Sequence, residues 1–477
     1  MIRVSRKLLL SNCSLTRLRG IQARGLRCSA AMRNARNGGN IYTYQQISQR
    51  NDRIQKIVLS LLGFSAFSYG VWHFYWPHHT FPKPVAQILR KGLWAESDKE
   101  QFDYQKALKF YIEALDKCQE LKVDPISDEY TGIELKVAEM YEKLGMLDEA
   151  SGVYLELLYR YFDALNTEGK IPEDKRPELI RRDLRILIKS LETNKDVSTG
   201  KRNLLAHLLM AQEEVLSRSQ ELKQFFERRK EKAKIIFQGK ALDASDFKTF
   251  VNEENLKLDD EGYMILDLQK DSSAWEPFKE EFFTARDLYT AFCLSSKDIA
   301  AALSCKMTTV EWMVMADMPP GQILLSQANL GSLLYLQGEK FEAEIFELEG
   351  KRDKDPSLRS DEPMIKALRH LHRNRDTCLQ MATQCYDSVI QFAKKNNKLR
   401  FNMKDQLDPS VSQAIALSTY GMGVLNLHQG VLAKAEKLLK DSISMAKEID
   451  FQELLNEARN ELDKAETLRL ETGKQER

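Results

Sequence analysis

Four residues with zinc-binding side chains lie close together in the sequence: His370, His372, Cys378 and Cys385. A tetrahedral zinc site needs four ligands that converge on one point. On a helix, residues two positions apart point to different faces, so His370 and His372 do not converge. The spacing therefore favours ordinary helical positions, and we expect no metal ligands in this chain.

The other sequence patterns associated with chemistry are incomplete or missing. The segment STGKR at residues 198–202 resembles a phosphate-binding loop but lacks its leading glycine and the Ser or Thr after the lysine. Neither HExxH nor GxSxG occurs, and the seven cysteines form no CxxC, paired CX3C or paired CX9C motif. We predict a non-enzymatic protein with no catalytic residues, no cofactor and no disulfide framework.

A stretch of twenty residues, IVLSLLGFSAFSYGVWHFYW at positions 57–76, contains no charged side chain. At about 1.5 Å per helical residue, it can cross a hydrocarbon core of about 30 Å. Arg50, Arg53 and Lys56 precede it, aromatic residues crowd its end, and Pro77 stops the helix. The pattern predicts one transmembrane helix, with a buried core helix as the less favoured alternative.

Small residues form one face of this predicted span. Gly63, Ala66 and Gly70 fall within about 60° of arc at about 100° per residue, and Ser60 extends the same face. Such a face lets a second transmembrane helix approach closely, although Gly and Ser are also common in single spans. We predict a seam here for another membrane subunit.

The 56 residues before the span carry twelve Lys or Arg and a single acid, Asp52. This basic and amphipathic composition is typical of a mitochondrial transit peptide, and a basic arm that binds nucleic acid is the alternative. Because basic residues before a span stay on the inner side, we expect the N-terminus in the matrix. The C-terminal body then faces the intermembrane space from the inner membrane.

The body after the span is net acidic. Removing the N-terminal charges from totals of 71 basic and 70 acidic residues leaves 59 and 69, a net charge of −10. A body of this charge has no electrostatic reason to hold nucleic acid, so we expect no nucleic-acid partner. Few Gly and Pro and no sustained β-branched alternation predict an all-α fold.

A two-helix pattern recurs in this body. In a tetratricopeptide (TPR) repeat, small residues let two helices approach, an aromatic residue fills the gap and glycine occupies the turn. Four such instances predict a TPR-like α-solenoid after a single N-terminal transmembrane helix, with degenerate repeats between residues 160 and 320. The repeat-packing residues are Ala107, Tyr111, Ala114, Ala138, Tyr141, Gly145, Ala150, Tyr154, Gly331, Gly338, Ala343, Gly423, Gly430 and Ala435.

A solenoid of this kind has a concave binding groove, which the first helix of each repeat lines. Asn329 lies where repeats that clamp a C-terminal carboxylate place an asparagine, although no companion Lys and Arg are in phase. We therefore expect Asn329 to be a structural polar residue near the groove. The candidate groove residues are Glu134, Lys136, Glu139, Asn329, Tyr335 and Asn426.

These features divide the chain into eight segments. One of them is rich in Gly, Ser and acids and is predicted to be a mobile inserted loop, because long ordered connections are uncommon. The segments are the presequence 1–33, a matrix-side tail 34–56, the transmembrane helix 57–76, a neck 77–86, N-terminal TPR-like repeats with a long helix 87–237, the inserted loop 238–277, C-terminal TPR-like repeats 278–450, and a capping helix and tail 451–477.

Three segments carry a resemblance to a known family: FDYQKALKFYIEALDKCQELK at 102–122, KVAEMYEKLGMLDEASGVYLELLYRYFDAL at 136–165, and WMVMADMPPGQILLSQANLGSLLYLQG at 312–338. With the presequence and span, they are similar to the TPR adaptor subunit of the yeast mitochondrial i-AAA protease supercomplex. The resemblance covers nearly all of the chain after the span. It implies an adaptor that binds the i-AAA protease and a second membrane adaptor subunit, and that helps unfolded substrates reach the protease.

The sequence alone is also compatible with a function of a different class. An inner-membrane assembly factor or tether for a respiratory or import complex has the same order of parts. An enzyme with an unrecognised site in the inserted loop is the least favoured reading, because no catalytic motif supports it.

Overall fold

The computed structural model describes residues 80–98, 102–193, 196–237, 249–253, 255–256, 272–355, 361–396 and 409–475. The predicted presequence, the matrix-side tail and the span with its seam residues Ser60, Gly63, Ala66 and Gly70 lie outside these residues. Among the helices that are described, none is both long and apolar enough to cross a membrane.

The described part of the chain is helical and contains no strand, which confirms the predicted all-α class. A short 3₁₀ helix, Ser272–Trp275, accompanies the α-helices in these residues. The α-helices are α1 Lys83–Ala95, α2 Tyr104–Glu120, α3 Asp128–Lys143, α4 Leu147–Asn166, α5 Arg176–Thr193, α6 Val197–Arg218, α7 Gln220–Phe237, α8 Lys279–Ser295, α9 Ile299–Met315, α10 Pro320–Lys354, α11 Glu362–Lys395, α12 Pro409–His428, α13 Leu432–Glu448 and α14 Gln452–Gln475.

Local sequence signals account for several helix ends. The Asp103 side chain accepts a hydrogen bond of 3.0 Å from the Lys106 backbone N–H, which caps α2. Gly145 and Gly430, both predicted turn glycines, follow α3 and α12 with φ of 75° and 76°. Because a side chain is strained in this left-handed region, glycine is the residue that turns the chain most readily there.

The described residues divide into two compact units, with the boundary between Met140 and Tyr141 inside α3. In the first unit, α1 packs against α2 through a buried face that contains Val85, Gly92 and Ala95. The first unit is therefore built around a helical pair.

In the second unit, helices that are neighbours in sequence pack as pairs: α4 with α5, α8 with α9, α10 with α11, and α12 with α13. Additional contacts join α5 to α8, α9 to α10, α10 to α12 and α13 to α14, so each of these pairs has a further neighbour. This is the arrangement of a protein made of successive helical hairpins, in which neighbouring hairpins bury a continuous core.

One ring fixes three of these helices. Tyr386 of α11 is 2% exposed and contacts Gly331 of α10 and Gly421 of α12. A Cβ atom on Gly331 would lie 2.8 Å from Tyr386 Cε1, and one on Gly421 would lie closer still to the same ring. The Tyr386 hydroxyl is also 3.0 Å from Ser332 Oγ on α10. The ring thus occupies space that only glycine leaves free.

The structure corrects the third predicted repeat. The sequence pattern treated Gly338 as a turn residue, but α10 continues through it as a single helix of 35 residues. A glycine inside a helix costs only about 1 kcal/mol, and α10 contains no proline after Pro320 at its start. Ala343, predicted to pack between helices, is exposed on the continuing helix.

The described part of the predicted loop 238–277 also differs from the expectation of a mobile loop. Val251 and Leu256 are each 2% exposed, and Trp275 is fully buried. The Trp275 ring stacks on Phe283 of α8 with the ring centroids 5.5 Å apart. These apolar side chains are therefore buried in the protein, although the Gly and acid content of the segment did not indicate it.

The glycine contact with Tyr386 can be tested by adding a single methyl group. We expect Gly421→Ala to destabilise the protein by about 1–3 kcal/mol, because the new Cβ overlaps the Tyr386 ring in a filled core. Thermal unfolding of the purified full-length chain in detergent measures the effect.

Gly152→Ala is the matched control, since a Cβ atom at that position on α4 meets nothing within 4 Å. Alanine in an open helical position should stabilise the protein by about 0.5–1 kcal/mol. Stabilisation of similar size by both changes would show that helix propensity, and not the Tyr386 contact, decides the outcome.

Candidate functional site

The predicted packing residues of the first unit lie in its core. Ala107, Ala114 and Ala138 have no exposed surface, and Tyr111 is 1% exposed. A Cβ atom on Gly92 of α1 would lie 2.8 Å from Tyr111 Cε1, so the ring fills the space beside this glycine. Gly92 was not among the predicted packing residues because it precedes the first recognisable repeat.

The second unit buries most of its predicted packing residues. Ala150 and Ala435 have no exposed surface and Tyr154 is 3% exposed, while Tyr141 is half-buried. The Tyr154 hydroxyl donates a hydrogen bond of 2.9 Å to a Glu142 carboxylate oxygen. A Cβ atom at the predicted packing residue Gly423 of α12 would meet Leu439 Cδ2 of α13 at 3.0 Å. A Cβ atom at Gly338 of α10 would meet Leu379 Cδ2 of α11 at 3.1 Å.

Three of the predicted groove residues belong to α3 in the first unit. Lys136 Nζ lies 3.1 Å from a Glu96 carboxylate oxygen and 2.9 Å from one of Glu139. Burial lowers the pKa of Lys136, but hydrogen bonds and charge attraction from Glu139 and Glu96 outweigh it, so the pKa is raised overall. Glu134 is 8% exposed and is not presented on an open surface.

The other three predicted groove residues belong to the second unit and do not form one exposed strip. Tyr335 is 4% exposed and Asn426 is 6% exposed, so both lie in the core. Asn426 Nδ2 donates a hydrogen bond of 2.6 Å to the Met422 carbonyl one helical turn earlier. Asn329 is half-buried. The sequence pattern placed these polar residues on the groove, whereas Tyr335 and Asn426 pack inside the helical pairs.

A cleft of about 670 Å³ opens instead between α10, α11 and the end of α12. Leu379 supplies its apolar wall, and the remaining lining is polar. Gln380 and Gln384 are one helical turn apart on α11, where residues four apart share a face. The lining residues are Glu342, Arg375, Asp376, Leu379, Gln380, Thr383, Gln384, His428 and Gln429.

The ionisable side chains of this cleft contact one another in two pairs. His428 Nε2 lies 2.9 Å from a Glu342 carboxylate oxygen, and the Tyr335 ring meets the His428 ring edge-on at 5.9 Å between centroids. Arg375 contacts the carboxylate of Asp376 through Nε at 2.9 Å and through its terminal nitrogen at 2.7 Å. The cleft therefore offers side-chain amides together with two pairs of ionisable side chains that already contact each other.

Glu342 of the cleft belongs to a cluster of acidic side chains. Burial raises the pKa of the Glu339 carboxyl on α10 to about 7. The carboxylates of Glu342 and Glu461 contribute to the rise, and Glu461 itself is 3% exposed. The Tyr335 hydroxyl and the Lys464 ammonium group act in the opposite direction but do not cancel it. Glu339 thus titrates near neutral pH.

The four residues considered as metal ligands are dispersed along α11. His370 Nε2 lies 3.1 Å from Asn374 Nδ2, and His372 Nε2 lies 3.7 Å from a Glu349 carboxylate oxygen. Cys385 is fully buried, and Cys378 is 9% exposed, with its pKa raised by burial to about 11. No group of three or more His, Cys, Asp or Glu side chains in the described ranges is arranged to hold a metal ion.

Comparison with known proteins gives clear relatives. The family model of the MGR3 middle domain matches residues 168–318. The chain is 64% identical over 389 residues to the mitochondrial inner membrane i-AAA protease supercomplex subunit MGR3 of Saccharomyces cerevisiae, covering 81% of this chain and 78% of that protein. A protein of the same yeast named MRG3-like is 40% identical over 424 residues, covering 88% of this chain and 89% of its own length.

A third relative is similar over a shorter stretch. A TPR repeat-containing protein of Schizosaccharomyces pombe is 28% identical over 104 residues, which is 21% of this chain and 29% of that protein. This similarity is limited to about one quarter of either chain, in contrast to the two matches that extend over most of the sequence.

The raised pKa of Glu339 predicts a specific pH dependence of stability. Between pH 4.5 and about 7 the folded protein holds a proton that the unfolded chain releases, so the contribution of Glu339 to stability falls as the pH rises through that window. Glu339→Gln should therefore raise the melting temperature at pH 8 more than at pH 5.5. Thermal unfolding of the full-length chain in detergent at both pH values measures this difference.

Glu347→Gln is the control on the same helix, because Glu347 is exposed and pairs with Lys351 at 2.7 Å. It should change the melting temperature little at either pH, as exposed pairs contribute little. A response of Glu339→Gln that is the same at pH 5.5 and pH 8 would contradict the neutral titration of Glu339.

Proposed function

Because this chain belongs to the MGR3 family, we propose that it is a non-enzymatic adaptor in the i-AAA protease supercomplex of the mitochondrial inner membrane. The observation that carries the proposal is 64% identity over 389 residues to a subunit of that supercomplex. The adaptor binds the protease on one side and unfolded membrane or intermembrane-space proteins on the other. Its described surface is helical throughout, as in scaffolds that hold extended partners.

We assign the chain to the membrane through residues 57–76, with the basic N-terminus in the matrix. The body after the span carries a net charge of −10 and faces the intermembrane space in this assignment. The helical pairs after the neck are interpreted as a TPR-like solenoid, with the segment boundaries predicted from the sequence. Pairing of consecutive helices and the positive φ of Gly145 and Gly430 support this interpretation.

The cleft between α10, α11 and α12 is the candidate site for substrate. Its volume of about 670 Å³ falls within the range of roughly 300–1,000 Å³ that is usual for ligand pockets. Gln380, Gln384 and Gln429 each carry an amide that can donate and accept hydrogen bonds, as a peptide group does. Leu379 supplies an apolar contact for a substrate side chain. A short extended segment of an unfolded protein matches these features.

Amide recognition also explains how one cleft can serve many substrates. Unfolded proteins share a backbone and differ in their side chains, so a site that pairs with peptide groups is tolerant of sequence. The carboxylates of Glu342 and Asp376 are each engaged by a neighbouring side chain of the cleft, His428 and Arg375 respectively, so neither is available to select a charged substrate. Among the predicted groove residues, Lys136, Glu139 and Asn329 remain candidates for secondary contacts.

The mechanism of such an adaptor is effective concentration. Weak binding to a site tethered beside the protease converts a bimolecular encounter into a local one, with effective concentrations on the order of millimolar for short tethers. Weak binding also lets the substrate leave the adaptor for the protease. No catalytic step is required of this chain.

Removal of two exposed amides tests the cleft. We expect Gln380→Ala with Gln429→Ala to weaken binding of a reduced, unfolded model protein by about fivefold for each hydrogen bond lost, at about 1 kcal/mol per bond. Co-purification of the i-AAA protease with the full-length tagged chain from mild detergent should stay unchanged. Fluorescence anisotropy of the labelled unfolded protein measures the affinity.

Gln391→Ala with Gln452→Ala is the matched control, because both glutamines are exposed and lie outside the cleft. Unchanged affinity in the cleft variant would remove the cleft from the proposal. Recovery of a respiratory or import complex without the protease would favour the assembly factor over the adaptor.

The small-residue face of the span is the proposed contact with the second membrane subunit. Gly63→Leu with Gly70→Leu keeps the span apolar but prevents close approach of another helix. We expect insertion to survive and recovery of the membrane partner to fall at equal expression, as measured by quantitative mass spectrometry of the tagged complex. Ser65→Leu with Ser68→Leu is the control on the opposite face of the span. Undiminished recovery with the double glycine variant would move the contact to the helical body.

A further inference from the structure

Helix α1 presents one exposed face that its neighbours in the described structure leave uncovered. Lys83, Gln87, Arg90 and Trp94 are all exposed. Their spacing of four, three and four residues places them in a single stripe along the helix. The opposite face, with Val85, Gly92 and Ala95, is buried and packs towards α2. The stripe is therefore held outward by the packing of the other face.

The charge of this helix has one sign. Its sequence, KPVAQILRKGLWA, holds three basic residues and no acid. Lys91 flanks the stripe, with its ammonium group 5.8 Å from the centre of the Phe110 ring. The acidic residues nearest in sequence, Glu96 and Asp98, follow the helix. Asp98 is exposed, and a Glu96 carboxylate oxygen lies 3.1 Å from Lys136 Nζ. The exposed face of α1 is thus cationic over its length.

Large apolar side chains accompany these charges at the C-terminal end of the helix. Trp94 is 52% exposed and Leu93 is 50% exposed. Phe102, just before α2, is 48% exposed. A tryptophan among basic residues on an outward helical face is the combination that favours a membrane–water interface, where the ring inserts among headgroups and the cations meet phosphates.

The position of α1 in the chain brings it close to a bilayer. The predicted span ends at Trp76 and α1 begins at Lys83, so six residues separate them. Fully extended, such a connection reaches at most about 22 Å, at roughly 3.3–3.6 Å per residue. A helix on so short a tether lies near the headgroups of the membrane that the span crosses.

We propose that the Lys83–Gln87–Arg90–Trp94 face of α1 docks on anionic phospholipid headgroups of the membrane surface next to the span. The cations bind the lipid phosphates and Trp94 inserts at the level of the headgroups. Docking lays α1 along the membrane and holds the first helical unit against it. The inference rests on the proposed membrane anchor but not on the adaptor role.

Photo-crosslinking from position 94 tests this docking. The full-length chain, with the photoreactive aromatic residue benzoylphenylalanine in place of Trp94, is placed in nanodiscs of phosphatidylcholine, alone or with phosphatidylglycerol added. We expect lipid adducts at position 94 that increase with phosphatidylglycerol. Lys83→Glu with Arg90→Glu should reduce the adducts about fivefold or more, because each cation near an anionic surface contributes to binding.

Lys434→Glu with Lys437→Glu is the matched control, since it makes the same charge change at two exposed lysines of α13. It should leave the lipid adducts unchanged. A chain that is retained in the discs but forms no lipid adduct at position 94, or forms adducts that both charge reversals affect equally, would overturn the docking. A chain that does not enter the discs would overturn the membrane anchor and the docking with it.

Discussion

The distance between helices in this protein is set by aromatic rings that occupy the space beside glycines. Tyr386 projects from α11 between Gly331 of α10 and Gly421 of α12, and a Cβ atom at either glycine would overlap the ring. Filled cores tolerate added atoms poorly, at a cost of about 1–3 kcal/mol for an extra group. The three helices can therefore meet at this ring in one arrangement, which the 3.0 Å contact with Ser332 Oγ fixes further.

The candidate cleft depends on this contact because the same three helices line it. Glu342 comes from α10, Gln380 from α11 and His428 from the end of α12. The 2.9 Å pair between Glu342 and His428 joins two helices whose positions the Tyr386 ring sets. A rigid wall is useful to a weak binding site, since side chains that are already ordered lose little entropy when a ligand arrives.

Local sequence was sufficient for the elements but not for the site. Small and aromatic residues at repeat spacing predicted the buried positions of Ala107 and Tyr111, because neighbours three or four apart share a helix face. The same pattern could not distinguish Gly430, a turn residue with φ of 76°, from Gly338, which lies inside α10. That distinction depends on which side chain packs against the glycine, and Leu379 comes from another helix.

The cleft was missed for a related reason. Its residues come from three helices that are distant in sequence, and glutamines such as Gln380 have no distinguishing local pattern. The only local signal was the spacing of Gln380 and Gln384, which places two amides on one face of α11. The local sequence pattern favoured Tyr335 and Asn426 as groove residues, yet both are buried. Polarity alone did not show which side of a helix the packing would leave open.

The weak repeat pattern of the middle region has a physical explanation in its core. Residues 168–318, which the MGR3 middle domain matches, are packed around buried polar groups as well as small residues. Arg286 is 7% exposed and lies 4.1 Å from the centre of the Trp312 ring, and its Nε donates a hydrogen bond of 2.8 Å to Thr309 Oγ1. Burial lowers the pKa of this guanidinium, so its charge has to be met by the ring and by hydrogen-bond acceptors.

A second buried pair supports the same conclusion. Asp183 of α5 has no exposed surface, and its carboxylate lies 2.6 Å from His207 Nδ1 on α6. Burial raises the pKa of Asp183, and His207 acts against the rise through a hydrogen bond and charge. Neither residue of such a pair is easily substituted, because removing either partner leaves a buried polar group without its hydrogen bond. Helices positioned by polar contacts of this kind do not need the small-residue pattern of a repeat, which is why that pattern fades between α4 and α10 while the helices continue to pack.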